Sequence, residues 1–113
     1  MSIIEKIFYH ADKNPNKCAI VFNDQKYSYK NLALDIQASS QILKKKGLKK
    51  NDKVILRAAN TYQFVCVYFS IHLLAGIAVL IPSEKDKIFE QLVFKSIDTK
   101  YKILSAIIFE RYG

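Results

Sequence analysis

Between Ala58 and Ser83 the chain carries no Asp, Glu, Lys or Arg, and from Phe64 to Pro82 it is almost wholly apolar. A run of that length has two physical outlets: a helix that crosses a bilayer, or a buried helix and a buried strand in an α/β core. Three features select the second. Ser70 and His72 lie near the middle of the run, where polar groups cost most in lipid. Ala75-Gly76 divides it, and Ile77-Ala78-Val79-Leu80-Ile81 then reads as a buried parallel strand closed by Pro82. Asn60-Thr61-Tyr62-Gln63 opens the first part as an N-cap with a capping-box partner. Lysines flank both ends, so no inside-outside bias favours a span. No membrane span is expected.

The rest of the chain supplies the neighbours such a core needs. Ile3, Ile4, Ile7, Phe8 and Ala11 fall at helical spacing and predict a short amphipathic helix that stops before Asn14-Pro15. Ala19–Phe22, a turn at Asn23-Asp24-Gln25, and Lys26–Tyr29 predict a β-hairpin. Ser28 or a neighbour then caps a helix from Lys30 to Lys46, with Leu32, Ile36, Ser39, Ser40 and Leu43 as its buried stripe. Three lysines in its last turn suit the helix dipole, and Gly47 stands at the left-handed stop position. A strand Lys53–Arg57, a helix Thr61–Leu74 and the strand Ile77–Ile81 follow. Ser83 opens a further helix with Phe89, Leu92, Val93 and Ser96 on one face, and Tyr101–Leu104 is the last strand. Crossovers of this length imply right-handed βαβ units and a parallel sheet. The expected fold class is α/β: an N-terminal β-hairpin plus a βαβαβ parallel sheet with flanking helices. Ser105–Gly113 has no clear periodicity.

Composition excludes several functions. A length of 113 residues allows one domain or a piece of a larger one. Only three glycines are present, Gly47, Gly76 and Gly113, too far apart for a phosphate-cradling loop. Two cysteines and two histidines are too few for a zinc finger or ribbon, and a single Cys18–Cys66 bridge would be no disulfide framework. Cys66, inside an apolar run, reads as a buried inert thiol. Neither His10 nor His72 has the spacing to pair with a cysteine for catalysis. The N-terminus carries Glu5 and Lys6 and has no cleavage-like site, so a reducing, cytoplasmic setting is expected. The net charge of +8 invites a nucleic-acid reading. The cluster Lys44, Lys45, Lys46, Lys49, Lys50 and Lys53, however, has no aromatic residue for base stacking and no arginine for bidentate readout. No nucleic-acid partner is expected.

Five segments, in order, resemble the start of the adenylate-forming (AMP-binding) enzymes, the superfamily of acyl-CoA synthetases, adenylation domains and luciferases. Asn14-Pro15-Asn16-Lys17-Cys18-Ala19-Ile20 is similar to the family's Pro-Asp-Lys-x-Ala strand, and Tyr27-Ser28-Tyr29-Lys30-Asn31-Leu32 to its Thr-Tyr-x-Glu-Leu helix start. Gly47-Leu48-Lys49-Lys50-Asn51-Asp52-Lys53-Val54 resembles Gly-Val-x-x-Gly-Asp-x-Val. Asn60-Thr61-Tyr62-Gln63-Phe64-Val65 resembles Asn-Ser-x-Glu-Phe-Val, and Ala75-Gly76 with its strand and Pro82 resembles Ala-Gly-Ala-x-x-x-Pro. Ser28 and Asn31 take the N-cap and N3 positions of a capping box. Asn51 replaces a family glycine, which its tolerance of the left-handed region permits.

The resemblance implies an enzyme that activates a carboxylate with Mg-ATP to an acyl-adenylate. It then passes the acyl group to the thiol of CoA or of a carrier protein. It also implies that residues 1–113 are a single unit, an incomplete N-terminal segment of a larger AMP-binding domain. The phosphate loop, nucleotide-contacting residues and catalytic Lys of the family lie further along a longer chain. No catalytic, cofactor-binding or metal-binding residue is therefore assigned, and ATP and Mg belong to a full-length enzyme. The expected partner is the remainder of that domain. A homodimer through an exposed sheet edge or the tail Ala106–Phe109 is also expected. The competing reading is a small stand-alone α/β partner-binding protein or half of a split enzyme.

Overall fold

The computed structural model describes residues 2–57, 61–81 and 101–103. Helix α1 (Ile3–Lys13) is followed by strands β1 (Cys18–Phe22) and β2 (Gln25–Ser28), helix α2 (Tyr29–Lys45) and strand β3 (Lys53–Arg57). Helix α3 (Tyr62–Leu73) and strands β4 (Ile77–Ile81) and β5 (Tyr101–Ile103) complete the described elements. The architecture is mixed α/β.

β1 and β2 pair antiparallel as the expected hairpin. Its turn is tighter than the sequence suggested. Asn23 and Asp24 both have positive φ, 48° and 65°, the signature of a two-residue type I′ turn whose twist matches that of the strands. Gln25 thus joins the ladder opposite Phe22, and Tyr29 becomes the first residue of α2 rather than the last of a strand.

In the second sheet β3 lies between β4 and β5, and both pairings are parallel. The β3–β4 register runs from Lys53–Ile77 to Arg57–Ile81 without a shift. The apolar run from Phe64 to Pro82 is therefore broken into α3 and β4, and no described helix is long and apolar enough to cross a membrane. The helix expected after Ser83, Leu104 and the tail 105–113 lie outside the described residues. The described sheet consequently consists of a β3–α3–β4 unit with β5 added, not a full βαβαβ.

Both large helices stop by the same device. After α2, the N–H of Gly47 bonds the carbonyl of Lys44 at 3.0 Å and that of Leu48 bonds Leu43 at 3.1 Å. After α3, Ala75 bonds His72 at 3.0 Å and Gly76 bonds Ile71 at 2.9 Å. Each is a Schellman motif, which needs its first residue past the cap in the left-handed region. Gly47 (φ 95°) fills that position in the first, but an alanine, Ala75 (φ 59°), fills it in the second. At Gly76 space is tight: an added Cβ would sit 3.1 Å from Ile71 Cγ2, so the isoleucine would have to give by a few tenths of an ångström. Asn51 takes positive φ, 68°, as its replacement of glycine required. Its N–H bonds Ala75 O at 2.8 Å, and Ile77 N–H bonds Asp52 O at 2.8 Å, so the loops entering β3 and β4 are tied together.

Helix starts are capped by hydroxyls. Ser28 Oγ accepts from Asn31 N–H at 3.1 Å, as expected. Thr61, not Asn60, is the N-cap of α3 and accepts from Phe64 N–H at 3.1 Å. The cap thus sits one residue later than the sequence suggested, and the N3 residue is Phe64 instead of Gln63. α1 is capped by Ser2, which accepts from Glu5 N–H; Ser2-Ile3-Ile4-Glu5 is a capping-box sequence that the spacing argument passed over.

Two apolar clusters form the core. Leu43, Leu48, Val54, Leu56, Val67 and Ile71 pack where α2 and α3 meet the sheet. Ile7, Leu32, Ile36, Tyr62 and Cys66 join α1, α2 and α3, with the hairpin residues Ala19, Ile20, Phe22 and Tyr27 against them. The expected α2 stripe is buried throughout, and Ala33 joins it. β4 departs from its expected full burial. The helices centre on β3, so Leu56 is fully buried while Leu80, its partner in register, is 48% exposed. Ile77 is 44% exposed as well, and Ile3, at the open end of α1, lies mostly in solvent.

Candidate functional site

The hairpin meets α3 at the end of that helix following the carboxyl end of β3, the rim where open α/β sheets place their ligands. Tyr27 of β2 stacks on Tyr62 in the first turn of α3, ring centroids 3.6 Å apart and planes 3° from parallel. The Tyr62 hydroxyl donates to Asp35 Oδ2 from α2. Cys66, one turn further along α3, is buried behind them. These residues and Gln63 line a cleft of about 200 Å³. A second cleft of similar size adjoins it, lined by Phe22, Asn23, Gln25, Tyr27 and Thr61 to Gln63.

The electrostatics make the cluster quiet. Burial first, then the hydrogen bond to Asp35, raise the Tyr62 phenol well above the usual tyrosine range. Burial pushes the Cys66 thiol up to about 12; the hydrogen bond with Tyr62 partly offsets this, and the Asp35 charge adds to it. A thiol and a phenol held neutral are neither nucleophile nor base near neutral pH. What the arrangement does is hold three elements together. Ser70 works in the same sense: fully buried, its hydroxyl lies 2.9 Å from Ile36 O of α2 and 2.6 Å from Cys66 O of its own helix.

A larger cleft, about 470 Å³, separates α1 from α3 between Ser2, Ile3, Glu5, Tyr68, His72 and Leu73. His72 packs edge-on against Tyr68, 4.6 Å between centroids. His10 lies between Tyr9 and Tyr29, and its buried Nδ1 finds no hydrogen-bond partner among the described residues.

Neither of the described glycines forms a phosphate cradle. Gly47 closes a helix and Gly76 abuts Ile71, so neither opens a run of backbone N–H groups toward a phosphate. Among the described residues no group of three His, Cys, Asp or Glu side chains could hold a metal ion. No chemical step is derived through either group.

Comparison with known structures identifies the fold. The N-terminal subdomain of NpsA from Klebsiella oxytoca, in complex with 3-hydroxybenzoyl-AMSN, superposes with a TM-score of 0.80 at 17% identity, over 88% of this chain and 26% of its own. NpsA-ThdA, an artificially fused adenylation–PCP di-domain from the same organism, gives 0.81 at 17%, over 88% of this chain and 19% of its own. The nonribosomal peptide synthetase FmoA3 gives 0.77 at 18%, over 88% and 11%. At such identities the likeness is one of fold, and the chain spans about a quarter of the length of the NpsA subdomain. Comparison with curated protein sequences gives no match. The family model for AMP-binding enzymes, in contrast, matches residues 7–85, from within α1 to beyond β4. The described parts of the five segments that suggested this family fall on β1, the start of α2, the loop into β3, the start of α3 and β4, and the chain belongs to the AMP-binding enzyme family.

Proposed function

We propose that this chain is the N-terminal scaffold of an ATP-dependent carboxylate-activating ligase of the cytoplasm, and that it is not catalytic alone. The observation that carries the reading is the family match over residues 7–85, which takes in most of the described elements. The inertness of the Tyr62–Asp35–Cys66 cluster supports the second half: the candidate rim holds a phenol and a thiol kept neutral by burial. Acyl-adenylate formation, and transfer to the thiol of CoA or of a carrier protein, belong to the domain completed by its remaining segments. ATP and Mg are bound by that completed domain. The contribution of this chain is to position the hairpin, α2 and α3 as a wall for it.

The test is exchange of labelled pyrophosphate into ATP across a panel of carboxylates. It is measured for the chain alone and for the chain mixed with the polypeptide encoded downstream of it. The expected result is no exchange alone and exchange in the mixture. Exchange by the chain alone overturns the scaffold reading. A mixture that neither exchanges nor forms a complex on size exclusion overturns the ligase reading.

A further inference from the structure

The end of the molecule opposite the tyrosine cleft has a composition of its own. The C-terminus of α2, the C-terminus of α3 and the first residues of β3 and β4 meet there, joined by the Asn51–Ala75 and Ile77–Asp52 hydrogen bonds. Lys44, Lys45, Lys49 and Lys50 are exposed at this corner and form no ion pair among the described residues. The one carboxylate in the segment, Asp52, folds back to accept from Lys49 N–H at 2.8 Å. The helix dipole accounts for Lys44 and Lys45 in the last turn of α2, but not for Lys49 and Lys50 beyond it. Beside the lysines lies an exposed apolar side chain, Ile77 at 44%, the register partner of Lys53.

We propose that this corner is a docking surface for an anionic lipid bilayer, the lysines meeting the headgroups and Ile77 entering the interface. Stable peripheral binding takes two signals, and a basic patch with an exposed isoleucine beside it supplies both. The chemistry favours lipid over macromolecular partners. Lysine is depleted at protein–protein interfaces, where arginine and aromatic residues dominate. The patch also has no stacking ring or guanidinium for bases. A point charge on a flexible stem suits mobile headgroups, which ask for no fixed geometry. The corner lies away from the rim at the carboxyl ends of the strands, so a docked chain leaves that rim open.

The test is co-sedimentation of the full chain with phosphatidylcholine vesicles, with and without phosphatidylglycerol. Binding is expected only with the anionic lipid, and is expected to weaken as salt rises from about 0.1 M to about 1 M and the screening length falls about threefold. Each lysine near the surface contributes roughly fivefold, so replacing Lys44, Lys45, Lys49 and Lys50 by Glu is expected to weaken binding by a few hundredfold or more. Ile77→Ser is expected to weaken it by severalfold at unchanged salt dependence. A control replaces Lys13, Lys17, Lys26 and Lys30 by Glu, an equal change in net charge away from the corner, and is expected to retain most binding. Circular dichroism checks that each variant keeps its fold. Equal loss in both quadruple variants, absence of vesicle binding by the unmodified chain, or patch-dependent binding to duplex DNA in place of vesicles overturns the proposal.

Discussion

The two Schellman motifs differ in one residue, and that difference sets up a reciprocal experiment. Gly47 ends α2 at φ 95° and Ala75 ends α3 at φ 59°. A side chain in the left-handed region costs about 1–2 kcal/mol, because Cβ crowds the following carbonyl oxygen. Glycine at Ala75 removes that cost but frees the unfolded chain, which returns about 0.4–1 kcal/mol. Ala75 is exposed, so its methyl gives up little burial. Ala75→Gly is therefore expected to stabilise by about 0.5–1 kcal/mol, a rise of a few degrees in Tm. Gly47→Ala reverses the balance and is expected to destabilise by about 1 kcal/mol. Urea unfolding of the full chain followed by far-UV circular dichroism measures both, with the m-value checked for constancy so that the midpoint shift reports stability. The swap carrying both changes is expected to lie near the parent. Loss of stability in Ala75→Gly, or no cost in Gly47→Ala, would refute the argument, since it would mean that the two helices do not end in the same backbone conformation.

Two further outcomes are expected. Stability falls as pH rises above about 9, because the folded state keeps the Cys66 thiol protonated to about 12 while the unfolded chain releases that proton at the ordinary value of 9.0. The raised phenol of Tyr62 adds to the loss above 10.0. The slope reaches about 1.4 kcal/mol per pH unit for each group, and Cys66→Ala is expected to flatten it in urea titrations between those limits; an unchanged slope would exclude Cys66 as the cause. Ser70→Ala removes the buried link to Ile36 O, a loss of about 1–1.5 kcal/mol offset by about 0.5 kcal/mol of better helix propensity. A net loss of about 0.5–1 kcal/mol is the expected urea result, and a gain would show that the hydroxyl does not tie α2 to α3.

Apart from the parallel pairing of β3 with β4 and β5, which the length of the crossovers implies, what the sequence made legible was local. Apolar spacing located α1 and α2, the capping sequences at Ser28 and Asn60 marked helix starts to within a residue, and Gly47 marked a stop. Each of these signals lies within a few residues of the structure it dictates. The turn Asn23-Asp24 was read one residue too long, because without a glycine it lacks the strongest mark of a two-residue hairpin loop. Ala75 in the left-handed region carries no sequence signal at all; it is imposed by the closure of α3 onto Ile71 and His72. The Tyr62–Asp35–Cys66 cluster was missed because its members come from different elements, and nothing in the sequence says that Asp35 on α2 faces a residue that opens α3. Strand β4 shows the converse error. Continuous apolar character announces a strand fit for burial on both faces, but burial also needs neighbours, and the described helices pack mainly on β3.

The stacked pair Tyr27–Tyr62 has a spectroscopic consequence. The chain has seven tyrosines and no tryptophan. Two phenol rings held nearly parallel at 3.6 Å couple their transitions, so this pair contributes a near-ultraviolet dichroic signal that exists only while the hairpin is docked on α3. The hairpin belongs to the cluster around Ile36, whereas the parallel sheet belongs to the cluster around Val54. Followed beside the far-ultraviolet band during unfolding, that signal distinguishes a molecule whose hairpin has swung away from one whose sheet has come apart.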